Sequence, residues 1–138
     1  MDKAKILEML NAQCANTLME TLGIVFTDLC ENSLSATMPI TPCVHQPFEM
    51  LHGGASVALA ETLGSCLSNI SLQNSGQIAV GTQINAHHLK SKKKGELKGI
   101  AKILKKGKTL HLVEIEIRDE EDQLICHTTM TNMVINKN

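Results

Sequence analysis

The sequence predicts an α+β domain, with an antiparallel sheet of about six strands wrapped around one long central helix and a shorter helix at the N-terminus. Three observations predict it. The stretch from Gly53 to Leu72 is small and apolar over a length that suits a helix rather than a strand. Six other segments, bounded by glycine, proline or polar turns, read as extended. Two of these precede the long helix and four follow it in a run, so the βαβ alternation of a parallel sheet is absent, as is any Gly-x-Gly-x-x-Gly.

Taken in order, Leu7, Leu10, Cys14, Leu18 and Leu22 recur at steps of three and four and predict one amphipathic helix, with Asp2 as N-cap and Gly23 as its stop. "GIVFTDLC" and "SLSATMPI" predict two strands around the turn "ENS", and in the second Leu34, Ala36, Met38 and Ile40 alternate. Pro39, Pro42 and Pro47 make residues 41–52 a loop. The long helix ends at "NSG", residues 74–76. Four strands follow, at about 77–89, 96–104, 109–118 and 124–135, joined by "SKKKG", "KKGK" and "DEEDQ".

Composition narrows the function classes. The chain has 138 residues, read as a single domain over 1–138, and a net charge of −1, which disfavours a general polyanion binder. Phe26 and Phe48 are the only aromatic residues, so no stacking platform for nucleic acid is expected. No apolar run is long enough to span a bilayer, and "MDKAKILEML" is too charged for a secretory signal. Cys14, Cys30, Cys43, Cys66 and Cys126 are odd in number and lack CxxC spacing, which fits reduced thiols in a cytoplasmic protein and no zinc cage.

Glu61 is the only charge in the long helix. Leu59, Leu63, Cys66 and Ile70 form the stripe expected to pack on the sheet, and Glu61 points away from it among Gly54, Ala58, Ser65 and Ser68. Two readings fit: a surface carboxylate, or an acid at the seam with a second subunit. Gly53 and Gly54 likewise either permit a tight turn or present helix N-terminal N–H groups to a developing negative charge. Gly53 and Glu61 lie eight residues apart, roughly 12 Å along a helix, too far to act on one carbonyl from the same chain. If both act, a neighbouring chain supplies one of them. His87 and His88 are adjacent in a strand and face opposite ways, so they cannot chelate one metal. His45, His111 and His127 sit in no motif and read as structural or surface residues. Lys90, Lys92, Lys93 and Lys94 are either a solvated hairpin tip or a cluster for phosphates; Lys105, Lys106 and Lys108 make a weaker case.

"HQPFEMLHGGASVALAETLGS", "VGTQINAHHLKS" and "IEIRDEEDQL" together resemble the hotdog-fold acyl-CoA thioesterases over nearly the whole chain. The nearest branch is the phenylacetate-degradation type, which includes 1,4-dihydroxy-2-naphthoyl-CoA hydrolases and the enterobactin-pathway proofreading thioesterase. The resemblance implies Glu61 as nucleophile or general base, Gly53 N–H as oxyanion donor and Gln46 as the group that polarises or places the carbonyl. It implies His52 and Ser65 as residues that position the thioester and the attacking water. Phe48, Met50, Gly81, His88, Lys90 and Lys92 are implied substrate contacts, the last three near the CoA phosphates. It implies no cofactor beyond the CoA of the substrate, no metal, and active sites at dimer interfaces with dimers paired into a homotetramer. A naphthoyl substrate would place the reaction in menaquinone biosynthesis. Glu49 and His87 depart from the common residues of the branch and put the acyl specificity in question. The alternatives are proofreading hydrolysis of misacylated acyl-carrier protein and a non-catalytic acyl-CoA-binding domain; Glu61 argues against the latter.

Overall fold

The computed structural model describes residues 2–138. Its elements are α1 (Lys3–Gln13), α2 (Leu18–Leu22), β1 (Val25–Leu29), β2 (Ser33–Ile40), α3 (Gly53–Ser71), β3 (Gln77–His88), β4 (Gly95–Lys106), β5 (Leu110–Arg118) and β6 (Leu124–Asn136). All six strands form one sheet in the order β1-β2-β4-β5-β6-β3, every pair antiparallel. α3 packs against β2 through β6. Leu59, Leu63 and Leu67 from the helix meet Leu34, Met38, Leu97, Val113, Ile115 and Met130 from the strands, all essentially inaccessible to solvent. This is the expected architecture. Among the described residues Phe26 is the one buried phenyl ring, so aliphatic side chains fill most of the interior.

The N-terminal helix is broken rather than continuous. Asp2 caps α1 as expected, accepting from the Ala4 N–H, and Gly23 ends α2 in a left-handed conformation. Between them Asn16 adopts φ 62° and Thr17 is extended. Local side-chain bonds favour the break: Thr17 Oγ1 donates to Cys14 O at 2.6 Å, and Asn16 N–H donates to Glu20 Oε2 at 2.7 Å. Leu18 is therefore 60% exposed, whereas Ile6, Leu10 and Cys14 are buried.

The sheet-facing side of α3 also differs from the expected stripe. It consists of Ser56, Leu59, Ala60, Leu63, Gly64, Leu67 and Ser68. Cys66 and Ile70 turn toward α1, where they line a groove with Met9 and Leu10. A helix covered by a sheet and by a second helix needs a wider apolar arc than one stripe. Ser68 shares a helical direction with Glu61 but lies two turns on, where the sheet encloses the helix. It is fully buried, accepting from Asn132 Nδ2 at 2.8 Å and lying 3.1 Å from His111 Nδ1.

Two helix asparagines each clamp one strand residue at both its N–H and its C=O. Asn11 bonds both the N–H and the C=O of Phe26 in β1. Asn69 does the same to Ala79 in β3, at 2.9 and 3.0 Å. The second clamp sets α3 along β3, one of the two edge strands, whose other edge pairs with no strand among the described residues.

Candidate active site

The loop before α3 is shaped by its own backbone bonds. His52 N–H donates to Val44 O, Leu51 N–H to Lys92 O, and Gln46 N–H to Met50 O. This closes a tight turn over residues 46–50 in which Glu49 takes φ 61°. The Gln46 side-chain carbonyl accepts the Phe48 N–H. Its NH₂ is therefore the end left to donate to a ligand oxygen.

His52 is the N-cap of α3, and its Nδ1 accepts the Gly54 N–H at 2.8 Å. With Nδ1 accepting, the neutral ring carries its proton on Nε2. Gly53 N–H has no acceptor among the described residues. It lies at the positive end of a 19-residue helix. A Cβ on Gly53 would stand 2.9 Å from the His88 ring, so that ring occupies the space a side chain would need.

Gln46, Gly53, Ser56, His88 and Lys90 border one cleft of about 330 Å³, with Leu51, Leu89 and Ile125 as its apolar part. This geometry suits a carbonyl oxygen: an unpartnered N–H at a helix N-terminus, an amide donor and an apolar surround.

The remaining implied residues lie elsewhere on the chain. Glu61 is exposed on α3, and its Oε1 lies 2.8 Å from where a Gly81 Cβ would be, so only glycine there leaves room for the carboxylate. Gly81 begins a bulge in the β3–β6 pairing. Ser65 lines the groove between α3 and α1, and His52 borders another with Leu22 and Ala58. Phe48 is 79% exposed at the loop tip, and neither it nor Met50 borders the cleft.

One implied contact needs correction. Lys92 is not a free cation for a phosphate: its Nζ lies 3.2 Å from Asp119 Oδ2 and 3.3 Å from Glu120 Oε1. The Asp119 hydrogen bond is the first cause holding the ammonium pKa above its ordinary value. Asp119 also accepts the N–H groups of Gln123 and Glu121, of which the first contributes most to holding its carboxyl below the usual range. The Lys92–Asp119–Glu120 cluster pins the loop after β3 to the β5–β6 turn. Lys90, whose Nζ donates to the Gln123 side chain, is the lysine at the cleft.

Burial, with a smaller contribution from Cys14, pushes the Cys66 thiol up to about 11, which disfavours the thiolate that a cysteine nucleophile needs. Among the described residues no group of three or more His, Cys, Asp or Glu side chains is placed to hold a metal ion. No helix among the described residues is long and apolar enough to cross a membrane. Sequence reading missed Ser56, Asn69 and Asn132. The signal for all three was a polar residue at an otherwise inward-facing position.

Comparison with known proteins bears directly on this geometry. The pattern of the thioesterase superfamily matches residues 48–126, more than half of the chain. The proofreading thioesterase EntH of Cronobacter sakazakii is 42% identical over 129 residues, covering 94% of this chain and 93% of its own. The crystal structure of a Haemophilus influenzae thioesterase superimposes with a TM-score of 0.91 at 41% identity, over 94% of this chain and 90% of that one. A mutant thioesterase from Pseudomonas aeruginosa gives 0.91 at 37% identity, with 94% of each chain covered.

Proposed function

The chain belongs to the thioesterase superfamily and is a hotdog-fold thioester hydrolase, and we propose that it cleaves an aryl acyl-CoA, of 1,4-dihydroxy-2-naphthoyl type, at sites shared between two copies of itself. Gly53 N–H and the Gln46 amide of one subunit hold the thioester carbonyl oxygen. Glu61 of the partner subunit acts at the carbonyl carbon, with Ser65 one turn on and His52 beside Gly53 placing water and thioester. Phe48 and Met50 at the loop tip supply acyl contacts, Lys90 faces the CoA phosphates, and His88, whose ring packs on Gly53, borders the thioester.

Two routes satisfy the chemistry. In one, a Glu61 oxygen bonds to the carbonyl carbon, the C–S bond breaks, and the thiolate takes a proton from water. The hydroxide left by that water then attacks the anhydride, releasing the free acid and restoring the Glu61 carboxylate. In the other, Glu61 takes a proton from water as its oxygen attacks the carbon, and that proton passes to the departing thiolate. Both yield free acid and CoA.

One observation carries the shared site: the two halves lie along the same strand, β3, whose outer edge pairs with no strand among the described residues. Glu61 packs on Gly81 and Gly53 on His88, seven residues and ~23 Å apart along β3. Antiparallel pairing of β3 with its copy about a two-fold axis near Ile84 and Asn85 would set Gly81 opposite His88 of the partner subunit. Glu61 would then approach the Gly53 of the partner subunit. Such pairing also covers a 12-residue edge that would otherwise invite aggregation. Pairing of dimers into a tetramer, residence in the cytoplasm and a need for no cofactor beyond the substrate's CoA belong to the same proposal.

The test is a thiol-release assay over aryl and alkyl acyl-CoAs with Glu61→Gln beside the wild type. Loss of at least ~100-fold in kcat is expected for the variant. Equal rates for the two proteins would end the mechanism, and equal rates for bulky aryl and short alkyl thioesters would end the aryl assignment. The EntH relative favours a second reading, proofreading of misacylated carrier protein. Faster turnover of acyl-carrier protein than of acyl-CoA would select it.

A further inference from the structure

We propose that the Ser56 hydroxyl is a second donor to the thioester carbonyl oxygen, sharing with Gly53 N–H the charge that oxygen gains in the transition state. The inference rests on the hydrolase site proposed above and assigns it one more catalytic residue.

Ser56 is 1% exposed, and its Oγ has no hydrogen-bond partner among the described residues. A buried hydroxyl without a partner costs the fold stability, so it persists where a ligand completes it or where no better residue has arisen. Three other hydroxyls on α3 find partners. Thr62 donates to Ala58 O and Ser71 to Ser68 O, both at 2.7 Å, while Ser68 bonds Asn132. Ser56 does not bond back to His52 O, which accepts the Ala55 N–H at 3.0 Å instead.

The direction of the side chain explains what could complete it. Ser56 borders the same cleft as Gly53 and Gln46. It stands three residues after Gly53, and residues three apart share a helix face. Side chains on a helix lean toward its N-terminus, so Oγ reaches back toward the turn that holds Gly53. An oxygen bound at Gly53 N–H is thus the nearest place for a ligand acceptor. Leu51 and Ile125 keep that part of the cleft apolar, which strengthens a hydrogen bond made there. If packing alone were needed, alanine would fill the position without stranding a hydroxyl.

The test compares Ser56→Ala and Ser56→Cys with wild type by thiol release and by thermal melting. For Ser56→Ala the expected result is a fall of roughly 100-fold in kcat, with KM within about threefold and a Tm no lower than wild type. The cysteine variant, a weak donor of similar shape, should fall between the two. Binding gives a readout independent of turnover. A CoA analogue with CH₂ in place of sulfur but its ketone kept should bind Ser56→Ala about tenfold more weakly. The CoA thioether lacking the carbonyl oxygen should bind both proteins equally. Wild-type kcat in Ser56→Ala, or equal loss of affinity for the two analogues, overturns the proposal. Glu61→Gln is run alongside: full activity there would refute the hydrolase site itself, whereas an inactive Glu61→Gln beside a fully active Ser56→Ala refutes only the role of Ser56.

Discussion

Glu61 and Gly81 constrain one another through sterics rather than through a bond. A methyl group at position 81 would stand 2.8 Å from Glu61 Oε1 and 2.8 Å from Met130 Cε. Both are ends of flexible side chains, so the fold can absorb the added carbon by moving them. The acid would move with them. Gly81→Ala is therefore expected to cut thiol release by at least ~10-fold, because small misplacements of a reacting group are costly. The same variant should melt within about 3 °C of the wild type. Unchanged activity would mean that the carboxylate does not need its position over β3. His52 illustrates a second coupling, since capping Gly54 occupies Nδ1 and leaves Nε2–H as the only end of the neutral ring that can meet a ligand.

At the level of elements, α3 is positioned by polar clamps that carry no catalytic chemistry. Asn69 holds it against β3, and Asn132 Nδ2 donates to Gly64 O at 3.2 Å from β6. At the mouth of the cleft, the strand 3 exit loop is held by Lys92 on Asp119 and Glu120, and Glu120 also accepts the Glu96 N–H at 3.1 Å. These bonds make stability depend on acid. Both carboxyls have folded pKa values below their ordinary ones, Asp119 first through the Gln123 N–H and Glu120 first through the Glu96 N–H. A depressed carboxyl contributes stability above its unfolded pKa, about 4, and that contribution disappears as pH falls through the lower folded value. Asp119→Asn should thus lower Tm at pH 7, and the gap from wild type should close as the pH falls through the depressed folded value of Asp119, below the ordinary carboxyl range. A gap that persists unchanged into strong acid would show that the Asp119 charge is not what holds the loop.

For the whole molecule, the decisive question is whether a working site needs two chains. Glu61→Gln and Gln46→Ala remove groups from opposite halves of the proposed site. When the two inactive proteins are mixed in equal amounts and their subunits exchanged, half of the dimers are mixed, and each of those has one intact site. Recovery of about a quarter of wild-type activity is expected. The double variant mixed with wild type gives no such intact hybrid beyond dilution. No recovery after verified exchange would show that no working site forms from the Gln46 of one chain and the Glu61 of another, and would end the shared site.

The helix, the six strands and their turns were legible because each is written in local terms: period 3.6 or 2, proline and glycine at the breaks, and Asp2 and Gly23 at helix ends. The break at Asn16 was not legible, because Thr17 and Glu20 act through bonds that a hydrophobic pattern does not register. The orientation of α3 was only half legible, since Cys66 faces α1 and Ser68 a buried histidine, and which neighbour covers which arc is settled by packing. Lys92 read as a phosphate cation until the fold brought Asp119 to it across 27 residues of chain. By itself, then, the sequence determined the element order, the lone acid in a neutral helix and the glycines at that helix's start, because residue type and spacing act within a few turns of chain. Only the tertiary structure decided that Gly53 opens on a cleft, that Glu61 lies over Gly81 and that Ser56 carries an unsatisfied hydroxyl, because those facts depend on contacts between residues far apart in sequence.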